Sequence, residues 1–347
     1  MELSLPTVRD VMGVPPDLRL GLVLERAARR DQRLAGSVCS LAAVEGHRLG
    51  RLGEALLEVE LARRAEHDRI IELVRGAGRA DVLKGAALQG YYPPGVLRTS
   101  RDVDVLMPDE GELWAAVATV ARERPVDEAR VSMIVSGGRR HWAVALNWPS
   151  PESDLDYVYA VEFLTAAFVG NSTTVPLRAD RPDNEKAAHL LLIAEELFQQ
   201  PLRGRDVVDV AVLVDAMTEQ DVTDLHRAAE RWLLAPEVHE AVQRVNTVPG
   251  LTTETSRLLA ERLADSAGRE RERRAAAGPG DGTMASVHYG LPLGPALSSD
   301  GLSVEQDPDM TVVRCPVGGF LMVDTLSVPA ELAHAALERY PEAVLPV

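Results

Sequence analysis

The spacing of apolar residues changes twice along this chain, and the two changes limit the folds open to it. From about Pro16 to Gly76 the sequence is rich in Ala, Leu, Glu and Arg. Apolar side chains recur there at helical intervals: Leu52, Ala55, Leu56 and Val59, then Ile70, Leu73 and Val74. Two to four helices are expected, the last stopped by Gly76 and Gly78. Short apolar runs bounded by turn residues follow. Val82-Leu83, Val103 to Met107, Val131 to Val135, His141 to Leu146 and Tyr157 to Leu164 read as strands, with Thr173 to Leu177 as a further candidate. Ala86 to Tyr91 and Glu112 to Glu123 read as helices between them. After Pro182 the helical period returns over Asn184 to Gln199, Asp206 to Met217 and Gln220 to Leu234, with more helix to about Ala264.

Helices, then strands, then helices predict an α+β chain with a small mixed sheet. The boundaries implied are a helical N-terminal region over 1–78, a core over 79–180 and a helical subdomain over 181–265. A charged run and then a Gly/Pro tract over 266–284 read as a linker, and 285–347 as a small C-terminal α/β module. In that module Thr311 to Cys315 and Phe320 to Val323 suggest a hairpin through Pro316 to Gly319, and Pro329 to Tyr340 a closing helix.

Composition narrows the function classes. At 347 residues and 46% hydrophobic the chain can bury a substantial core. No apolar run approaches the roughly 20 residues that cross a bilayer, and Met1-Glu2-Leu3-Ser4 lacks a secretory start, so a cytoplasmic protein without a membrane partner is expected. Cys39 and Cys315 lack metal or redox spacing and read as free buried thiols. A net charge of −16 argues against extended DNA binding, although the arginine run from Arg269 to Arg274 leaves a local RNA contact open beside a solvated helix or linker face.

Of 37 basic residues, all but Lys84 and Lys186 are arginine. A lysine that persists in so Arg-biased a chain points to a need for a compact ammonium. Lys84 opens Lys84-Gly85-Ala86-Ala87, a turn after a short strand whose backbone N–H groups suit phosphate oxygens, with Gly85 allowing close approach. Asp102 and Asp104 lie two apart in a strand, so both carboxylates leave one face about 6 to 7 Å apart at Cα. Hard oxygen donors so placed suit Mg²⁺ bound with nucleotide phosphates. Arg98 and Ser100 stand just upstream, positioned for triphosphate or for a local salt bridge and a turn cap.

The string from Val82 to Leu88 with Arg98-Thr-Ser-Arg-Asp-Val-Asp-Val105 resembles the polymerase-β-like nucleotidyltransferase superfamily. It is most similar to the branch of abortive-infection toxin and related bacterial nucleotidyltransferases. Glu162 in Val161-Glu-Phe163 resembles the third acid of that pattern, Glu185-Lys186 its Glu-Lys pair, and Arg205-Asp206-Val-Val-Asp209 its closing helix. The resemblance runs from about Val82 to Leu213. It implies a nucleotidyltransferase core with Asp102, Asp104 and Glu162 as catalytic metal ligands for two Mg²⁺ ions, Glu162 also able to take the acceptor's proton. It implies that Lys84, Gly85, Arg98, Ser100 and Lys186 bind a nucleoside triphosphate, ATP by default, and that Asp206 and Asp209 support the helix or Lys186. The implied activity is transfer of a nucleoside monophosphate to a small molecule, protein or RNA acceptor, with pyrophosphate released.

Two departures stand: Ala86 replaces a second glycine, and a neighbouring branch carries its third acid in a string that aligns with Ala145-Leu146-Asn147-Trp148. In that second register the acid is missing, which keeps open a catalytically silent fold that binds nucleotide or a protein partner. His141 and His189 read as packed or capping, Trp142, Trp148, Tyr157 and Tyr159 as cross-strand packing, and Asp154 and Asp156 as solvated turn acids.

Overall fold

The computed structural model of the chain describes residues 1–151, 158–171, 173–277, 285–306, 308–325, 328 and 330–344. Four helices come first: α1 (Leu5–Met12), α2 (Leu20–Arg30), α3 (Gln32–Val44) and α4 (Arg51–Ala77). Then follow β1 (Asp81–Val82), a 3-10 turn over Gly85–Tyr91, β2 (Asp102–Leu106), α5 (Glu110–Glu123), β3 (Glu128–Ser136), β4 (Arg139–Pro149) and β5 (Val158–Leu164). The helices α6 (Glu185–Glu195), α7 (Gly204–Asp215), α8 (Glu219–Arg231), α9 (Ala235–Asn246) and α10 (Glu254–Ala276) come next. The chain closes with β6 (Ser286–Gly294), β7 (Ser303–Gln306), β8 (Thr311–Cys315), β9 (Gly318–Val323) and α11 (Ala330–Arg339). The protein is α+β with a mixed sheet. None of the described helices is long and apolar enough to cross a membrane.

The chain divides into two compact units. One holds Met1–Ala65, Leu83–Arg101 and Phe168–Gly282; the other holds Glu66–Val82, Asp102–Ala167 and Thr283–Val347. The first, helical unit is built on amphipathic periodicity. Val8 and Met12 of α1, Val23 and Ala27 of α2 and Leu34 and Val38 of α3 bury against Val208 and Val212 of α7. Helix α8 starts in a capping box, with Thr218 accepting from Asp221 N–H and Asp221 returning the contact to Thr218 N–H.

Helix α10 runs on to Ala276, so 266–276 is helix where a linker was expected. The run of charges explains the extension. Glu270 accepts from Arg273 and Arg274 at i+3 and i+4, and Arg274 also reaches Glu237 of α9 at 2.6 Å. Over Thr173 to Leu177 no strand forms. A lone bridge pairs Phe168 with Arg178, and the Asn171 side-chain oxygen accepts from the N–H groups of Thr173, Thr174 and Val175, so a side chain satisfies backbone donors that a strand would have paired.

Among the described residues the second unit holds a nine-stranded sheet in the order β1-β2-β5-β4-β3-β6-β9-β8-β7, with β2 and β5 parallel and the other neighbours antiparallel. Alternation decides which side chains face inward. Val103 and Val105, Val161 and Phe163, and Trp142, Val144, Leu146 and Trp148 form one core with Leu113, Trp114 and Val117 of α5 and Ile70 and Val74 of α4. Trp142 meets Trp114 edge-on at 5.4 Å and donates its indole N–H to Glu110 at 2.5 Å. Trp148 and Tyr159 are register partners with rings 6.2 Å apart, the cross-strand packing expected of them. The tight β3–β4 turn places Gly137 and Gly138 at φ +56° and +74°, as a two-residue hairpin of this hand requires.

Residues after 285, expected as a module of their own, continue the same sheet through β6, which pairs with β3 from Ser132↔Tyr289 to Val135↔Ser286. Their β8–β9 hairpin and closing helix stand where the sequence suggests. Cys39 and Cys315 are free and buried, and burial pushes their thiols up to about 11 and about 12.

Candidate active site

In the sheet unit, Asp102 and Asp104 alternate with Val103 and Val105, both fully buried in the core, so the two aspartates leave the opposite face. The parallel register pairs Asp102 with Ala160 and Asp104 with Glu162. Neighbouring strands lie about 4.8 Å apart, so Glu162 stands beside Asp104 on the carboxylate face, flanked by Val161 and Phe163 on the core face. One strand further, the antiparallel register sets Ala145 opposite Glu162 and Asn147 opposite Ala160. The alternative position for a third acid therefore carries an alanine and an amide on that same face. Asn147 donates its side-chain N–H to Glu128 at 2.5 Å.

Asp104 is 6% exposed, whereas Asp102 and Glu162 are half-buried, and each of the three is engaged in an interaction. Among the described residues, no three His, Cys, Asp or Glu side chains are gathered as they would be around a metal ion. The donor set nevertheless matches Mg²⁺ in kind. Mg²⁺ keeps several waters and takes one or two carboxylates with substrate phosphates, so it does not need an all-protein cage assembled in advance.

The helical unit holds the other expected site residues. Gly85 sits at φ +73°, a backbone that favours glycine, directly after Lys84. The Lys84 ammonium is paired with Glu196, in the turn that follows α6. Next to it, Glu195 accepts from Gly170 N–H at 2.7 Å. Burial pushes the Glu195 carboxyl up to about 7, against the opposing pull of the Gly170 N–H and the Lys84 charge.

Arg98, expected at the triphosphate, lies in a buried ion network. Its Nε and Nη2 donate to the two oxygens of Asp209 at 3.2 and 2.7 Å, with the Arg98 side chain 2% and Asp209 0% exposed. Tyr92 donates its hydroxyl to the same carboxylate at 2.6 Å, and Arg205 lies 3.8 Å from it while also pairing with Asp206 at 3.0 Å. Burial alone would raise the Asp209 carboxyl; the Arg98 charge and hydrogen bonds, helped by Arg205 and Tyr92, outweigh it and hold it below the usual carboxylate range. Burial and then the Asp209 charge push the Tyr92 phenol well above its ordinary value. Where the sequence suggests a local salt bridge as the alternative for Arg98, the bridge observed is buried and reaches across 111 positions, and it ties the segment leading to Ser100, itself buried, onto α7.

Lys186 lies in the first turn of α6, whose N-cap Asn184 accepts from Ala187 N–H, and its ammonium meets Asp221 at 2.7 Å. The partners of the two lysines, Glu196 and Asp221, thus mark opposite ends of α6. A ten-residue rise from Lys186 to Glu196 is about 15 Å. His189, three residues on, is buried; burial lowers its pKa, opposed by Glu185, whose carboxylate lies 3.5 Å from Nε2. His141 lies 3.3 Å from the Thr165 carbonyl oxygen. Tyr157, Asp154 and Asp156 fall outside the described residues.

Sequence reasoning missed Glu195, Glu196 and Asp221. For Asp221 a signal was present, since Thr218-x-x-Asp221 is a capping-box pattern that fixes an acid at the start of a helix. Nothing local marks Glu196, whose partner is 112 positions away.

No family model matches the chain, and no curated protein matches it. Among solved structures it is similar to one described as "Crystal structure of putative nucleotidyltransferase from H. pylori", at 14% identity and a TM-score of 0.28, over 61% of this chain and 96% of that one.

Proposed function

We propose that the protein is a Mg²⁺-dependent nucleotidyltransferase that moves a nucleoside monophosphate from a nucleoside triphosphate, ATP by default, to an acceptor hydroxyl or phosphate on a small molecule, protein or RNA. The observation that carries the reading is the parallel register Asp104↔Glu162 with Asp102 two residues earlier, which aligns three hard-oxygen donors on one sheet face. The chain's resemblance to the superfamily in its Lys-Gly, Asp-x-Asp and Glu-Lys segments supports it.

In this reading Asp102, Asp104 and Glu162 would hold Mg²⁺, which would supply charge neutralisation and in-line alignment when bound. Lys186 would offer an ammonium donor, and the Gly85 turn backbone N–H groups, to the triphosphate, with Ser100 two residues before Asp102; Lys84, paired with Glu196 at the other end of α6, would steady that turn. The acceptor oxygen attacks the α-phosphorus as the bond to the β-phosphate bridging oxygen breaks; pyrophosphate leaves, and a hydroxyl acceptor's proton passes to Glu162. Arg98 acts indirectly, by anchoring Ser100's segment to Asp209.

The test is metal-dependent pyrophosphate release from each of the four triphosphates in the presence of candidate acceptors, with label transfer read by mass spectrometry. Asp102→Ala and Asp104→Ala are expected to abolish turnover and Glu162→Ala to reduce it by about 10²-fold or more. Full activity in Glu162→Ala would show that β5 does not supply the third ligand.

A further inference from the structure

Lysine is a flexible tether: four rotatable carbons carry its charge, and about 2 kcal/mol of rotamer entropy opposes holding it in one place. Lys186 is nevertheless fixed, and the group that fixes it is a single carboxylate on another helix. Asp221 Oδ2 accepts from Lys186 Nζ at 2.7 Å, from Thr218 N–H at 2.8 Å and from the Thr218 hydroxyl at 2.8 Å. Its Oδ1 accepts from the Asn184 side-chain amide at 2.8 Å. Asn184 caps α6 and Thr218 caps α8, so the one carboxylate joins the starts of both helices.

The surroundings keep Asp221 charged. Burial would raise its carboxyl, but hydrogen bonds from Lys186, Thr218 and Asn184 together hold it far below the usual carboxylate range. Four donors on two oxygens also leave it little freedom to rotate. A lysine ammonium has three N–H donors, and among the described residues only Asp221 takes one from Lys186, which stays 23% exposed. The remaining donors lie at the first turn of α6, where the helix dipole also favours an anion.

We propose that Asp221 is a positioning residue, holding the Lys186 ammonium ready for the phosphate oxygens of a nucleoside triphosphate. The inference rests on the proposed nucleotidyltransferase reading and adds to it the group that sets the direction of one of its two lysines. Asp221 touches no phosphate; it acts through Lys186.

A capping role alone would make Asp221 matter only for stability, and a mutant cycle separates the two roles. Binding of Mg²⁺ with a non-hydrolysable ATP analogue is measured by calorimetry on wild type, Asp221→Asn, Lys186→Met and the double variant, with thermal unfolding in parallel. Asp221→Asn keeps acceptor and donor atoms at the cap and removes the charge. The expected result is affinity about tenfold or more weaker in each single variant, with no further loss in the double, since both act through one ammonium. In turnover the loss should appear in KM more than in kcat, because phosphate grip is held in ground and transition states alike.

Wild-type affinity in Asp221→Asn, or losses that add in the double variant, overturn the inference while leaving the nucleotidyltransferase reading intact. If wild type binds none of the four triphosphates and releases no pyrophosphate, the reading itself fails and the inference with it. Should Asp221→Asn not fold, Thr218→Val removes one donor that steadies Oδ2 without touching Lys186, and weaker nucleotide binding there is the supporting outcome; unchanged binding overturns it.

Discussion

Replacing Asp209 by leucine should open the helical unit. The carboxylate is 0% exposed and accepts from Arg98 twice and from the Tyr92 hydroxyl, with Arg205 3.8 Å away. Removing it strands the Arg98 guanidinium, whose side chain is 2% exposed, and leaves the phenol without its acceptor. Breaking one partner of a buried pair costs about 3–5 kcal/mol, most of it from the uncompensated charge that remains. Three kcal/mol corresponds to more than about 10²-fold in an opening equilibrium.

The assay is hydrogen exchange of the α7 amides (Gly204–Asp215), which reads opening of this unit without requiring the whole chain to unfold in one step. Exchange faster by about 10²-fold or more is expected. The double variant Arg98→Met with Asp209→Leu should exchange more slowly than Asp209→Leu alone, because no unpaired guanidinium is left at position 98. A Asp209→Leu protein with wild-type exchange, or a double variant worse than the sum of the singles, would refute the assignment of this network as the unit's electrostatic core. The pH dependence has a definite sign. A carboxyl held below its ordinary range contributes stability above the unfolded-state value near 3.8, lost as the solution is acidified through the lower folded-state value.

Glu195 should show the opposite sign. With its carboxyl raised from 4.5 to about 7, the folded state binds the proton more tightly than the unfolded one, so stability is greatest below about 4.5 and falls as pH rises toward 7. The ceiling on this effect is about 3 kcal/mol, and Glu195→Gln, which still accepts from Gly170 N–H, should flatten the fall in urea melts; an unchanged slope would assign the pH dependence elsewhere. Gly85→Ala places a Cβ at φ +73° and should cost about 1–2 kcal/mol in thermal unfolding. If the turn also grips phosphate, triphosphate affinity should fall in the same variant, whereas a variant as stable and as tight as wild type would show the left-handed turn to be incidental.

Much of this architecture is local and therefore legible. The helical period over 51–77, the strand alternation of Val103, Val105, Val161 and Phe163, and the Gly137-Gly138 turn each follow from residues within a few positions of one another. The spacing of Asp102 and Asp104 likewise puts them on one face before any fold is known. Charged helices are harder to read. The Arg-Glu run after 266 has the composition of a linker, yet its i+3 and i+4 pairs and the reach of Arg274 to Glu237 keep it helical to Ala276.

The sequence by itself determined that this chain is α+β and that two aspartates share a strand face, because period and spacing are properties of neighbours in the chain. Only the tertiary structure decided that Glu162 lies beside Asp104, since that is a matter of pairing between strands 58 positions apart, on which a one-residue slip would turn the acid to the other face. It alone also committed Arg98 to Asp209, Lys84 to Glu196 and Lys186 to Asp221. Charge partners brought together across 35 to 112 positions are set by how helices pack, and no local pattern encodes them.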